Sequence, residues 1–384
     1  MINNLDGTKR KGQLLIQLSL SLTIKDMTKI RLLFVALLSL FIFTSCAKTL
    51  YIFRLAWGET KILWGSIPVQ EVLSNDRVDE KIKERLKLVH EVKEFSHKKI
   101  GLRLNGSYES FYQVKGDALL YMVSACPKDS LKPYTWRFPV VGEVTYKGFF
   151  KQKDALEEIK GLEKRGLDTS LQRAIAFSTL GWLSDPIYST VLDTNPVIII
   201  CTIVHELVHN TIFFKGEMEF NEQLATFIGE KGALMFIEEK FGYSSPYYQL
   251  ALDLSSDERL VAQFIQGIYE KLSGVYAQEL SWEEKMKRRE EIFAQGKRNF
   301  ADIKKKLRTG YFGSLDEEDF NNAFLIAYRH YLILPVSILQ RVYDALDKNL
   351  KNFVELLKGL QKTEKSPYLY LERWLQERSF SLSD

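Results

Sequence analysis

The sequence predicts an α+β fold that is predominantly helical. Long segments with the helical 3.6-residue period dominate after Gly242, while Gly, Pro and aromatic residues mark strands and turns between Gly101 and Phe150. Strands and helices are therefore segregated along the chain, not alternating as in a parallel βαβ sheet. A length of 384 residues with 46% hydrophobic content is that of a globular protein. The +4 formal charge spreads over 53 basic and 49 acidic residues without a sustained block of one sign, so neither a nucleic-acid footprint nor an acidic tail is implied.

The first informative stretch is MTKIRLLFVALLSLFIFTSC, Met27 to Cys46. Lys29 and Arg31 precede an apolar run from Leu32 to Phe43, and the small Thr44 and Ser45 stand before a cysteine. This secretory pattern resembles a bacterial lipoprotein signal, which implies diacylation of Cys46 as the mature N-terminus; Phe43 departs from the more usual Leu. A transmembrane anchor is the alternative, although the run is shorter than the ~20 residues a spanning helix needs. Residues 1–26 precede a self-sufficient signal, so translation is expected to start at Met27. The expected organisation is residues 1–45 as extension and signal and 46–384 as one domain, lipid-anchored at a membrane surface of the bacterial cell envelope and facing the periplasm or exterior. Cys126 and Cys201 then remain, either as two separate buried thiols or as a bridge.

Val78–His97 places Ile82, Leu86, Val89 and Val92 at helical spacing, with His90 and His97 read as surface or capping residues. A sheet-containing part is expected over about 100–195, with DALLYMVSA and GEVTYKGFF as strands. Lys153–Gly166 reads as a helix closed by glycine, and Pro186 limits any helix in the mixed stretch that follows. Metal-site helices are expected over about 196–240, and a helical part over about 250–384 is interrupted at Pro335.

The chemistry concentrates in NPVIIICTIVHELVHNTIFF. Asn195 and Pro196 make an N-cap and first-turn pair, so a helix is expected over about Pro196–Phe213. On it His205 and His209 lie roughly 40° apart and can reach one ion. Glu206 is placed to contact a water on the metal, not to ligate; zinc lowers the pKa of such a water towards ~7, and a neighbouring carboxylate can take its proton. With five histidines in 384 residues, a chance His-Glu-x-x-His is on the order of one in a hundred or less, and a charged Glu206 in an apolar helix needs a purpose. A third ligand is required. Glu222, near the start of a second helix, is the leading candidate; Glu217, Glu219 and Glu230 compete.

HELVH followed by FNEQLATF resembles the paired motifs of gluzincin metallopeptidases, which have a zincin-like catalytic core. The 12-residue spacer between His209 and Glu222 is shorter than in the thermolysin-like and aminopeptidase N-like groups. A closer resemblance is to a bacterial family of predicted aminopeptidases, often membrane-associated or lipoprotein. It is carried by NGSYESFY (Asn105–Tyr112), SLKPYTWRFPVVGEVTYKGFF (Ser130–Phe150), AFSTLGWLSDPIYSTVL (Ala176–Leu192), the HELVH segment and FNNAFLIAYRHYLILP (Phe320–Pro335).

This resemblance implies one Zn2+ ion on His205, His209 and Glu222, Glu206 as general base, and a peptide as substrate. Arg137 and Glu143 stand where relatives are expected to carry cysteines. An oxyanion partner is expected among Tyr331, His330, Tyr328 and Tyr146, with Tyr331 the leading catalytic candidate. Tyr146 and Glu143 are candidate substrate-binding residues. For the acid that meets a substrate amine, Glu143 and Asp185 are candidates whose plainer readings are a solvated strand charge and a turn-forming Asp before Pro186. Three readings remain open: aminopeptidase, endopeptidase of the same mechanism, and a non-catalytic binding or scaffold lipoprotein that keeps the fold.

Overall fold

The computed structural model describes residues 46–138, 142–177, 179, 183–329, 338–361 and 366–381. The signal-like segment up to residue 45, with Met27, lies outside them, as do His330, Tyr331 and Pro335. The chain divides between Lys61 and Ile62 into two units. The first contains most of α1 (Cys46–Gly65). Among the described residues no helix is long and apolar enough to cross a membrane.

The second unit opens with β1 (Ile67–Pro68), α2 (Val69–Ser74) and α3 (Glu80–Phe95). Asp79 caps α3 by accepting from the Lys81 N–H at 2.8 Å, and Leu86, Val89 and Val92 are wholly buried on one face, as their spacing requires. α3 runs into a π turn, Ser96–Ile100, which Gly101 closes at a φ of +86° that an L side chain resists. His90 and His97 are exposed, and His97 Nδ1 bonds the Leu102 carbonyl at 2.9 Å.

The strand region holds β2 (Ser110–Tyr112), β3 (Leu120–Pro127), β4 (Trp136–Phe138), β5 (Gly142–Val144), β6 (Tyr146–Phe149), α4 (Gln152–Glu163), β7 (Leu167–Ala174), β8 (Ile187–Tyr188) and α5 (Ser189–Leu192). These strands make three small sheets with orders β1-β2-β8, β6-β3-β7 and β4-β5. GEVTYKGFF, expected as one strand, divides at Thr145: β5 pairs with β4, and β6 pairs with β3. β7 has no counterpart in the sequence reading. It pairs antiparallel with β3 over eight residues, but its inward positions include Asp168 and Ser170, so the hydrophobic alternation that announces a strand is missing.

Helices complete the unit: α6 (Pro196–Thr211), α7 (Met218–Phe241), α8 (Pro246–Tyr276), α9 (Trp282–Lys304), α10 (Asn322–Arg329), α11 (Ile338–Ala345), α12 (Leu350–Leu360) and α13 (Pro367–Ser381). The main core gathers apolar faces of α3, α6, α7 and α12, with Val89, Ile200, Val204, Ile228 and Phe353 fully buried. A second core lies between α8, α9 and α10, built on Val261, Ile265, Phe300 and Leu325. The architecture is a mostly helical α+β fold with small sheets and, among the described residues, 13 α-helices.

Candidate metal centre

α6 begins where the sequence places it. The Asn195 side chain accepts from the Ile198 N–H at 3.0 Å, and Pro196 occupies the first turn, where its missing N–H costs nothing. Ile199, Ile200, Val204, Leu207 and Val208 are wholly buried, whereas Cys201, Thr202, His205, Glu206 and Asn210 are half-buried. These half-buried residues line one stripe at helical spacing, so α6 is a core helix with one less-covered edge that carries the polar groups.

α7 brings the third group to that edge because glycines let it approach. A Cβ on Gly229 would lie 3.2 Å from the Cys201 carbonyl oxygen and 3.4 Å from the His205 Cβ. At Gly232 it would meet Ile100 Cδ1 at 2.8 Å and Val204 Cγ1 at 2.9 Å, distances that real side chains do not hold. The loop between the helices is fixed by Asn221, 2% exposed, whose Oδ1 accepts from the Phe214 N–H at 2.9 Å and whose Nδ2 donates to the Phe214 carbonyl at 2.7 Å. The Asn of FNEQLATF thus closes the loop, and the adjacent Glu222 faces the histidines.

His205 Nε2, His209 Nε2 and Glu222 Oε2 form a triangle with sides of 3.1, 3.5 and 3.6 Å. Its circumscribed circle has a radius of about 2.0 Å, close to the ~2.0–2.2 Å at which zinc holds imidazole nitrogen and carboxylate oxygen. His205, His209 and Glu222 are therefore a group that could hold a metal ion. Two imidazoles and a buried carboxylate aimed at one point call for a cation there.

The electrostatics agree. Burial pushes the Glu222 carboxyl up, but the charges and hydrogen bonds of His209 and His205 overcome it and hold the group well below the usual carboxylate range. Burial disfavours a charged His209, yet Glu222 beside it leaves its pKa raised. Glu206 is different: burial raises its pKa, a repulsion from Glu222 adds to the rise, and the two histidines only partly offset it. Glu222 is thus held as an anion, while Glu206 keeps its proton to higher pH than an ordinary carboxyl does.

A family model described as "Putative aminopeptidase" matches residues 50–368. The chain belongs to this aminopeptidase family. Comparison with curated proteins gives no match, and comparison with solved structures gives none either.

In this aminopeptidase-family chain the structure brings Glu222, and not the other acids weighed, to the histidine pair. Glu217 lies in the loop before α7, Glu219 accepts from Gln223 at 3.2 Å, and Glu230 accepts from Ser255 at 3.4 Å. Glu143 is exposed on β5 in an ion pair with Arg137 at 2.6 Å, so these two positions face each other across the β4–β5 hairpin as charges. Tyr146 is half-buried on β6 opposite Ser124. Asp185 is buried, and its carboxylate accepts from the Thr179 N–H at 3.1 Å. Tyr328 packs against Phe324 with ring centroids 4.7 Å apart and planes tilted by 42°, beside the second core, and burial there pushes its hydroxyl up to about 12. Tyr331 and His330 fall outside the described residues. Cys126 and Cys201 are separate free thiols, each pushed up by burial.

One residue near Glu206 carried no role in the sequence reading. Tyr108, 7% exposed, borders the same recess as Glu206, and after burial the Glu206 charge is the largest influence raising its pKa. The Asn-Gly-Ser turn before it is legible in NGSYESFY, but turn chemistry alone does not say that the next ring lies beside a helix ninety residues further on.

Proposed function

We propose that the protein is a zinc-dependent aminopeptidase in which Glu206 acts as general base. The observation that supports it most is the His205–His209–Glu222 triangle, sized for one zinc ion, with the raised-pKa Glu206 adjoining it in a chain of an aminopeptidase family. A zinc ion held by these three residues supplies a Lewis acid and a water of lowered pKa.

Glu206 contributes the proton traffic. Its carboxylate takes a proton from the attacking water as oxygen bonds to the peptide carbonyl carbon, and it returns that proton to the departing amine as the C–N bond breaks. A raised pKa suits both halves, because a stronger base accepts more readily and the acid form persists long enough to donate. Glu222, held as an anion, and the two imidazoles stay fixed in place.

Glu206→Gln should lower peptide turnover by roughly 10²–10⁴-fold while leaving one metal ion bound per chain, as read by steady-state assay and elemental analysis. Unchanged turnover in that variant would support the scaffold reading instead. Paired assays on free and N-acetylated peptides separate the subtypes, because equal cleavage of both removes the aminopeptidase assignment and leaves an endopeptidase.

We also propose that Cys46 carries the lipid of a membrane-anchored form, supported by the signal-like Met27–Cys46 segment. Metabolic labelling with a fatty acid should mark the wild-type chain and not Cys46→Ser.

A further inference from the structure

Next to Glu206 lies a narrow recess whose walls the proton chemistry leaves unexplained. Ile187, Tyr188, Val191 and Ile203 form much of its wall, and Tyr108 and Phe177 are among the other residues that line it. Mouth included, it encloses about 230 Å³, with free room for about one water molecule. The first four walls are each 2% exposed and belong to the main core, so they yield little.

Tyr108 holds its place against its own backbone preference. Its φ is +69°, in the left-handed region that favours glycine, and bulky residues stay there only when their surroundings over-determine them. Those surroundings are visible. The Tyr108 N–H donates to the Asp185 carbonyl at 2.7 Å, the Asp185 N–H donates to Ser107 Oγ at 3.2 Å, and the Ser107 N–H donates to Asn105 Oδ1 at 3.3 Å. Two loops are thus tied together so that a strained tyrosine ring forms one side of a recess beside a carboxylate. Backbone strain of this kind collects where a side chain must be aimed.

We propose that this recess receives the side chain of the substrate residue whose carbonyl is attacked, and that Tyr108 sets its depth, so that the enzyme takes small apolar residues, alanine above all. The inference rests on the peptidase reading. A carbonyl carbon within reach of a water at Glu206 carries its own side chain only two bonds away, so a pocket adjoining Glu206 is the space that side chain meets. Apart from Thr202 and Glu206 the walls are mainly hydrocarbon, which favours an apolar side chain, and space for a single water fits a methyl group but not an isobutyl or benzyl group.

The test uses the full chain and two readouts. In the metal-free protein, calorimetric titration with L-alaninamide, L-leucinamide and L-phenylalaninamide should show binding of the alanine compound at least about tenfold tighter than the phenylalanine one. With zinc added, turnover of Ala-, Leu- and Phe-p-nitroanilide should follow the same order. Tyr108→Gly, which suits the φ, should shift both orders towards Leu and Phe, whereas Tyr108→Phe should keep the alanine preference. Equal or better binding and turnover of the larger side chains by the wild type overturns the pocket but leaves the peptidase reading standing. No binding of any amide also overturns it. An alanine preference in binding, without turnover of any peptide, overturns the peptidase reading and leaves the pocket in place. The wild-type series decides the matter even if Tyr108→Gly does not fold.

Discussion

His209 and Glu206 make the metal-free site sensitive to pH, and the sign can be worked out for each. Both groups have pKa values raised in the folded chain, so each contributes stability that is fully present below its unfolded value and is lost as pH rises through the folded one. Glu222 is depressed; its contribution is present above the ordinary carboxylate range and constant at neutral pH. Metal binding needs His209 neutral and replaces the proton. The expected outcome is that the chelated protein loses thermal stability as pH rises above the ordinary imidazole value of about 6.5, while the rise in Tm on adding zinc grows in the same direction. Differential scanning calorimetry with and without chelator measures both, and a pH-independent zinc effect would contradict this reading of His209.

The contact between α6 and α7 converts a motif into a site. Glycines at 229 and 232 allow the approach, and Asn221 locks the intervening loop through both polar groups of Phe214. Asn221→Ala should leave the buried Phe214 N–H unpaired and its carbonyl with the Glu217 N–H alone, costing about 1–3 kcal/mol in chemical denaturation and loosening metal binding, because Glu222 is the next residue. Full stability with unchanged metal affinity would show that the loop is fixed by other means. α6 was legible because capping, apolar content and ligand spacing all point the same way at Asn195, Pro196 and His205–His209. Glu222 was legible as the leading one of four acids through the Asn-Glu pair, but the approach that brings it to the histidines depends on how closely two helices pack, and glycine spacing does not announce that. β7 was not legible at all, because a strand whose inward residues are Asp168 and Ser170 gives no alternation to read.

Across the molecule, the second core is joined to the strands by buried polar contacts. Arg289 on α9 pairs with Asp168 on β7, and the Asn322 N–H at the start of α10 donates to the same carboxylate at 3.0 Å. Asn322 Nδ2 also donates to the Pro127 carbonyl at 2.8 Å, just where β3 ends. None of these partners is near another in sequence, so the order of strands and helices was readable while the junction between them was not. Arg289→Met should leave Asp168 buried without its cation and cost about 3–5 kcal/mol in denaturant unfolding. An unchanged midpoint would show that Asn322 and the backbone suffice. The main core holds the two helices of the candidate metal centre, and the proposed activity depends on one ion bound there. The most direct measurement is to strip the protein of metal and follow cleavage of an unblocked alanyl peptide while zinc is added back. Activity should be absent at the start and rise to a plateau at one zinc per chain. Cleavage that persists without metal, or a protein that takes up no zinc at His205, His209 and Glu222, would contradict it.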